Sequence, residues 1–173
     1  MEMNHLVVVA SYIAPGELFN KAVRTLDRTT ISHTELGLHH LGGDSWACWS
    51  SSYRDGGVRS KEISLTEDKW SLTELPITDA EYHFACEFAE INKKSGYDVW
   101  GMLGAGFMLP REHPELWFCN EFVGAALQFI DPWRYRPSSF YEMVRRVAYE
   151  RRDWLVPNLS LVMEWSTKPK GIE

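Results

Sequence analysis

Residues Ile31 to Leu65 read ISHTELGLHHLGGDSWACWSSSYRDGGVRSKEISL, and their alternation decides the fold class. Ile31 to His40 alternates apolar and polar side chains, as a half-buried strand does. Gly42-Gly43-Asp44 signals a turn, Ser45 to Tyr53 a second strand, and Arg54-Asp55-Gly56-Gly57 a second turn. Val58 to Leu65 alternates again, with Val58, Ile63 and Leu65 apolar. Strands joined by turns this short pair antiparallel, because a parallel pair needs a long crossover. The block is therefore expected to be a meander.

The flanks extend the pattern on both sides. Upstream, Leu6 to Tyr12 (LVVVASY) reads as a buried, β-branched strand, broken by Ala14-Pro15-Gly16. Glu17 to Leu26 carries Leu18, Phe19, Ala22, Val23 and Leu26 at helical spacing. Downstream, Trp70 to Leu75 is expected to be a further strand, closed by Pro76. Thr78 and Glu81 have capping-box spacing, and the helix they open is expected to stop at Lys93-Lys94-Ser95-Gly96. Tyr97 to Phe107 is Gly-rich, with a short helix or loop expected, and Leu109 to Pro114 reads as a loop. Glu115 to Ile130 leads into a helix stopped by Asp131-Pro132, and Ser138 to Arg151 forms the last helix. Strands cluster early and helices late, so the chain is expected to be α+β rather than a doubly wound parallel sheet. A single domain is expected over residues 1–173, with a weakly patterned extension from about 152.

Composition narrows the function classes. The 173 residues carry a net charge of −6, which argues against a general nucleic-acid binder. No apolar run approaches the roughly 20 residues of a membrane span, and Glu2, Asn4 and His5 do not make a basic leader. A cytoplasmic protein is expected. Three cysteines without C-x-x-C spacing predict neither a disulfide framework nor a thiolate zinc site. His39 and His40 are adjacent on a strand and point to opposite faces, which works against joint metal coordination. No cofactor or metal is expected. Eight Trp, seven Tyr and eight Phe supply bulky core, so the fold needs no staples. Nothing in the pattern sets an oligomeric state.

Cys119 is the candidate nucleophile. It precedes an apolar helix face made by Phe122, Val123, Ala126, Leu127 and Ile130. Unpaired N–H groups and the positive end of the helix dipole stabilise a thiolate at such a place. Cys48, inside a strand, and Cys86, inside a helix, have no such setting and read as core. A thiol also needs a base, and His33 is the candidate. His33, Glu35 and Gly37 share one strand face, while Thr34, Leu36 and Leu38 share the face turned to the core. Glu35 is a candidate to orient the ring, although i and i+2 side chains on a regular strand run parallel. Gly101, Gly104 and Gly106 lack a P-loop ending and are expected to let backbone pass close to something, such as a substrate groove.

Four motifs carry a family resemblance: SHTELGL, SSSYRDGGVR, YDVWGMLGAGF and WFCNEFVGAAL. In this order they resemble the circularly permuted NlpC-like, papain-fold cysteine hydrolases, over roughly residues 5–150. The His strand precedes the Cys helix by 86 residues, the permuted order. The resemblance implies a small antiparallel sheet packed on helices, a nucleophile at a helix start (Cys119) and a base from a strand (His33). It implies Tyr97 near the substrate amine or oxyanion. It also implies a third polar group on the strand before Gly57-Val58, where this chain offers Ser50, Ser51 or Ser52. A serine or water, or Glu35 from the His strand, is left to orient the ring. The CNEFV run is also similar to the lecithin:retinol acyltransferase relatives, which transfer acyl groups through a thioester. The substrate expected is a peptide, amide or ester, in a cleft lined by Trp46, Trp49, Tyr97, Trp100 and Trp117. Ser50, Tyr97 and Trp117 are the expected substrate contacts.

Overall fold

The computed structural model describes residues 3–15, 18–106, 113 and 115–152. Among them the chain is α+β, a curled seven-stranded mixed sheet with five α-helices. In chain order these are β1 (Met3–Tyr12), α1 (Leu18–Asp27), β2 (Thr34–Gly42), β3 (Ser45–Ser52), β4 (Gly57–Ser64) and β5 (Trp70–Thr78). There follow α2 (Asp79–Ile91), β6 (Gly96–Tyr97), α3 (Val99–Gly106), β7 (Leu116–Trp117), α4 (Cys119–Ala126) and α5 (Pro137–Glu150). The sheet order is β5-β1-β2-β3-β4-β6-β7. The expected meander β2-β3-β4 is present and antiparallel throughout. Among the described residues only β6 and β7 pair in parallel.

Several boundaries differ from the sequence expectation: β1 already begins at Met3, and β2 begins at Thr34 rather than Ile31, which leaves His33 just outside the strand. Pro76 does not end β5, which runs on to Thr78 and pairs Pro76 with Leu6. Because β5 is an edge strand, a residue lacking an N–H costs no ladder bond on the open side. Helix α4 ends at Ala126, before Asp131-Pro132. Gln128 takes a left-handed φ of 59°, and Phe129 N–H returns to the Gly124 carbonyl at 2.8 Å. That turn brings Phe129 against Phe140 of α5, with ring centroids 5.7 Å apart. Most of the expected loop Leu109 to Pro114, and the chain beyond residue 152, lie outside the described residues.

The two sheet faces bury different clusters. One face packs Val7, Val9, Leu36, Leu38, Trp49 and Val58 against Ala85 and Ala89 of α2, Phe122 and Val123 of α4, and Phe140 of α5. Opposite it, Val8, Ala10, Cys48, Leu65 and Trp70 form a smaller cluster. The capping box at α2 is made as expected: Glu81 N–H bonds Thr78 Oγ1, and Thr78 N–H bonds the Glu81 carboxylate at 2.7 Å. Gly57 joins the meander to the helical half. Its φ is 147°, and a Cβ there would lie 1.9 Å from the Ser95 carbonyl, so only glycine lets β4 meet β6.

Candidate active site

Helix α4 begins at Cys119 because its apolar residues Phe122, Val123 and Ala126 bury against the sheet. Phe118 precedes it in extended backbone and offers no polar cap. Its N–H instead donates to the Glu121 carboxylate at 3.3 Å. Phe122 N–H bonds Phe118 carbonyl at 2.9 Å, so the amides of Cys119 and Asn120 come before the first intrahelical bond. Cys119 is 4% exposed. Its thiol donates to Asn120 Oδ1 at 3.6 Å and lies in hydrogen-bonding reach of the His33 ring. The sulfur is thus enclosed among polar groups, not sealed in hydrocarbon.

His33 comes from the segment entering β2. Its Nε2 meets Glu35 Oε1 at 2.8 Å, which leaves Nδ1 as the ring nitrogen available to Cys119. Burial opposes a charge on His33, but hydrogen bonds to Cys119 and Glu35 outweigh it and raise its pKa to about 9. Glu35 is 1% exposed, and burial opposes its charge too. Arg59 first, then His33, hold its carboxyl below the usual carboxylate range. Arg59 donates Nη1 to Glu35 Oε2 at 2.7 Å and Nη2 to Glu35 Oε1. Its Nε donates to Asp55 Oδ2 at 2.9 Å, and Lys61 donates to the other Asp55 oxygen.

The structure brings Cys119, His33 and Glu35 together. Burial first, then the charges of Cys119 and Asp98, push the Tyr97 phenol well above its ordinary range, so it stays an O–H donor. Asp98, next to it, caps α3 by accepting Gly101 N–H at 2.7 Å. Gly101 therefore clears a carboxylate rather than a substrate groove, since a Cβ there would lie 2.2 Å from Asp98 Oδ2.

Two expected substrate contacts are placed elsewhere. Ser50 is fully buried, and its hydroxyl donates to the Thr34 carbonyl at 2.6 Å, tying β3 to β2. Trp117 packs its ring against Phe88 and Phe122 and donates Nε1 to Asn92 at 3.1 Å, on the core side. Trp46 belongs with the smaller cluster and Trp49 with the main core. Trp100 is 77% exposed on α3. For Trp46, Trp49 and Trp117 the reason is shared: a sheet with two packed faces takes its aromatics inward.

Sequence reasoning missed Arg59, Asp55, Thr34 and Asn120. Thr34 Oγ1 donates to Asn120 Oδ1 at 2.8 Å, which pins the first turn of α4 to the start of β2. Asn120 is fully buried, and its Nδ2 has no hydrogen-bond partner among the described residues. The available signal for Asn120 was its place next to the thiol. For Arg59 it was a cation on the alternating strand face that also carries Lys61.

No group of three or more His, Cys, Asp or Glu among the described residues is arranged to hold a metal ion. His39 bonds Tyr82 and His40 bonds the Gly43 carbonyl. No helix among the described residues is long and apolar enough to cross a membrane. Comparison with protein-family models finds no match, and comparison with curated proteins finds none either.

Proposed function

We propose that this chain is a cysteine hydrolase of the amidase or peptidase type, on a permuted papain-like (NlpC-type) fold. One observation supports this above the others: Cys119 starts a helix within reach of His33, whose far nitrogen is held by the buried Glu35. His33 takes the thiol proton, and the sulfur attacks the carbonyl carbon of an amide or ester. The carbonyl π pair moves to oxygen, where the amides at the start of α4 donate, joined by the Tyr97 phenol if it lies where the resemblance implies. Collapse expels the amine or alcohol with the proton from His33 and leaves a thioester on Cys119. Water, losing a proton to His33, then attacks the thioester and releases the acid and the thiol.

The test is the pH dependence of iodoacetamide alkylation at Cys119, followed by peptide mass spectrometry, in wild type and His33→Ala. Alkylation that persists at pH 6 and needs His33 supports the reading. A Cys119 that behaves as a free thiol in both proteins overturns it. Acyl transfer is a second reading, favoured by how little of the sulfur meets solvent. It predicts an acyl-Cys119 adduct that survives in water and is discharged by an added amine or alcohol.

A further inference from the structure

The geometry points to Arg59 as a positioning residue that clamps the Glu35 carboxylate and so fixes which ring nitrogen of His33 faces Cys119. This inference rests on the catalytic reading of Cys119 and His33.

The argument starts from register. Leu36 pairs with Trp49, so Glu35 on β2 and Ser50 on β3 each lie one residue beyond that pair. Ser50 pairs with Arg59 on β4. Paired residues share a face, so Glu35, Ser50 and Arg59 form one row across three strands. Adjacent strands are about 4.8 Å apart, which sets the ends of the row roughly 10 Å apart. Only a long side chain spans that gap, and only if the middle residue is small. Ser50 meets this condition, and its hydroxyl is turned into the sheet toward the Thr34 carbonyl.

Once across, the guanidinium forms a fork. Both of its terminal nitrogens bind Glu35, one to each carboxylate oxygen. Its third nitrogen is anchored on Asp55 at 2.9 Å, and Lys61 holds Asp55 in turn. A fork held at three nitrogens fixes the plane of the carboxylate, which a single point charge does not. With the plane fixed, Oε1 faces His33 Nε2 at 2.8 Å. A carboxylate acceptor there holds a ring proton on Nε2, so Nδ1 is the nitrogen left to exchange a proton with the thiol. The charged and titratable groups facing this pair are Cys119 from α4, Cys48 from β3, Arg59 from β4 and Asp55 from the turn before it.

The experiment uses ¹⁵N-labelled full-length protein and the ring resonances of His33, with Cys119 alkylation recorded on the same samples. Wild type is expected to show a downfield, exchange-protected Nε2–H proton at pH 7. Glu35→Gln and Arg59→Gln are both expected to lose it and to slow alkylation to a common level. Arg59→Lys keeps a charge but not the fork. It is expected to fall between wild type and Arg59→Gln, and it decides the matter if Arg59→Gln does not fold. Ser50→Leu leaves every charge in place but blocks the crossing, and is expected to resemble Arg59→Gln. A merely stabilising Arg59 would leave the ring signal unchanged in every folded variant. Wild-type signal and alkylation in Arg59→Gln and Arg59→Lys, alongside their loss in Glu35→Gln, overturn the inference alone. A wild-type protein without the signal, whose alkylation ignores His33, overturns the catalytic reading beneath it.

Discussion

Among the described residues a histidine hydrogen-bonds a carboxylate twice. His33 meets Glu35 at 2.8 Å, and His5 meets Asp79 at 2.9 Å. By distance the two pairs are equal. By environment they are opposites, because Glu35 is 1% exposed and Asp79 is 63% exposed. Asp79 stands in the first turn of α2, where water and salt screen it, and Tyr82 stacks on the His5 ring at 4.0 Å. Glu35 is walled in and answers to Arg59. A carboxylate–imidazole contact becomes chemically consequential when burial removes its competitors. The site is set apart by enclosure rather than by distance.

The largest expected effect belongs to the enclosed pair. His33→Ala should lower hydrolysis of an activated amide or ester by about two to four orders of magnitude, the usual worth of a general acid–base group. Cys119→Ser should abolish it. Asp79→Asn, measured beside them, should leave the rate unchanged. Equal losses at both pairs would erase the contrast.

Stability should separate the pairs next. Glu35→Ala takes from the Arg59 guanidinium, itself 15% exposed, the carboxylate that binds both its terminal nitrogens and leaves it only Asp55 at Nε. Removing one partner of a buried ion pair costs about 3–5 kcal/mol, and urea unfolding of Glu35→Ala should show a loss of that order. In an Arg59→Met, Glu35→Leu double variant most of it should return, because both charges are then gone. A double variant as unstable as the single one would mean that the pair does more than neutralise itself.

The pH dependence has a definite sign. His33 is raised from 6.5 to about 9 on folding. Its contribution is therefore fully present below pH 6.5 and lost as pH rises through about 9. The stability gap between wild type and His33→Gln should shrink across that window. Glu35 is lowered on folding, so its contribution is present above its unfolded value of 4.5 and disappears as the pH falls through the folded one. Unfolding curves at half-unit pH steps read both limbs. A gap that widens from pH 6.5 to 9 would reverse the assignment.

Much of this was legible in the residues. Alternation located the meander, and Thr78 with Glu81 marked the start of α2, because both are local patterns. Cys119 was placed by the apolar face that follows it. The Glu35–His33 contact was harder to see, since side chains two apart on a regular strand run parallel. β2 begins at Thr34, so His33 lies just outside the pleat and its ring is free to turn back on Glu35. Arg59 was illegible for a different reason. Its role depends on two strand registers at once and on the smallness of Ser50 between them. The motif before Gly57-Val58 points to the serines of β3, whereas the carboxylate comes from β2 and its cation from β4.

The smallest expected effect is the sharpest check on the comparison. His5→Gln removes a ring that touches both Asp79 and Tyr82. Asp79 owes its lowered pKa first to His5, and its exposed carboxylate leaves that interaction to be shared with solvent. The His5→Gln protein should therefore unfold at the wild-type urea midpoint within error at pH 8. Cys119 alkylation should not change either. The stacked Tyr82 offers one route by which this forecast fails, because lost ring contact costs stability at any pH. An equal drop at pH 5.5 and pH 8 would identify stacking as the cause. A drop confined to pH 5.5 would show that the exposed pair carries charge-dependent weight after all, and that enclosure is not what sets the two pairs apart.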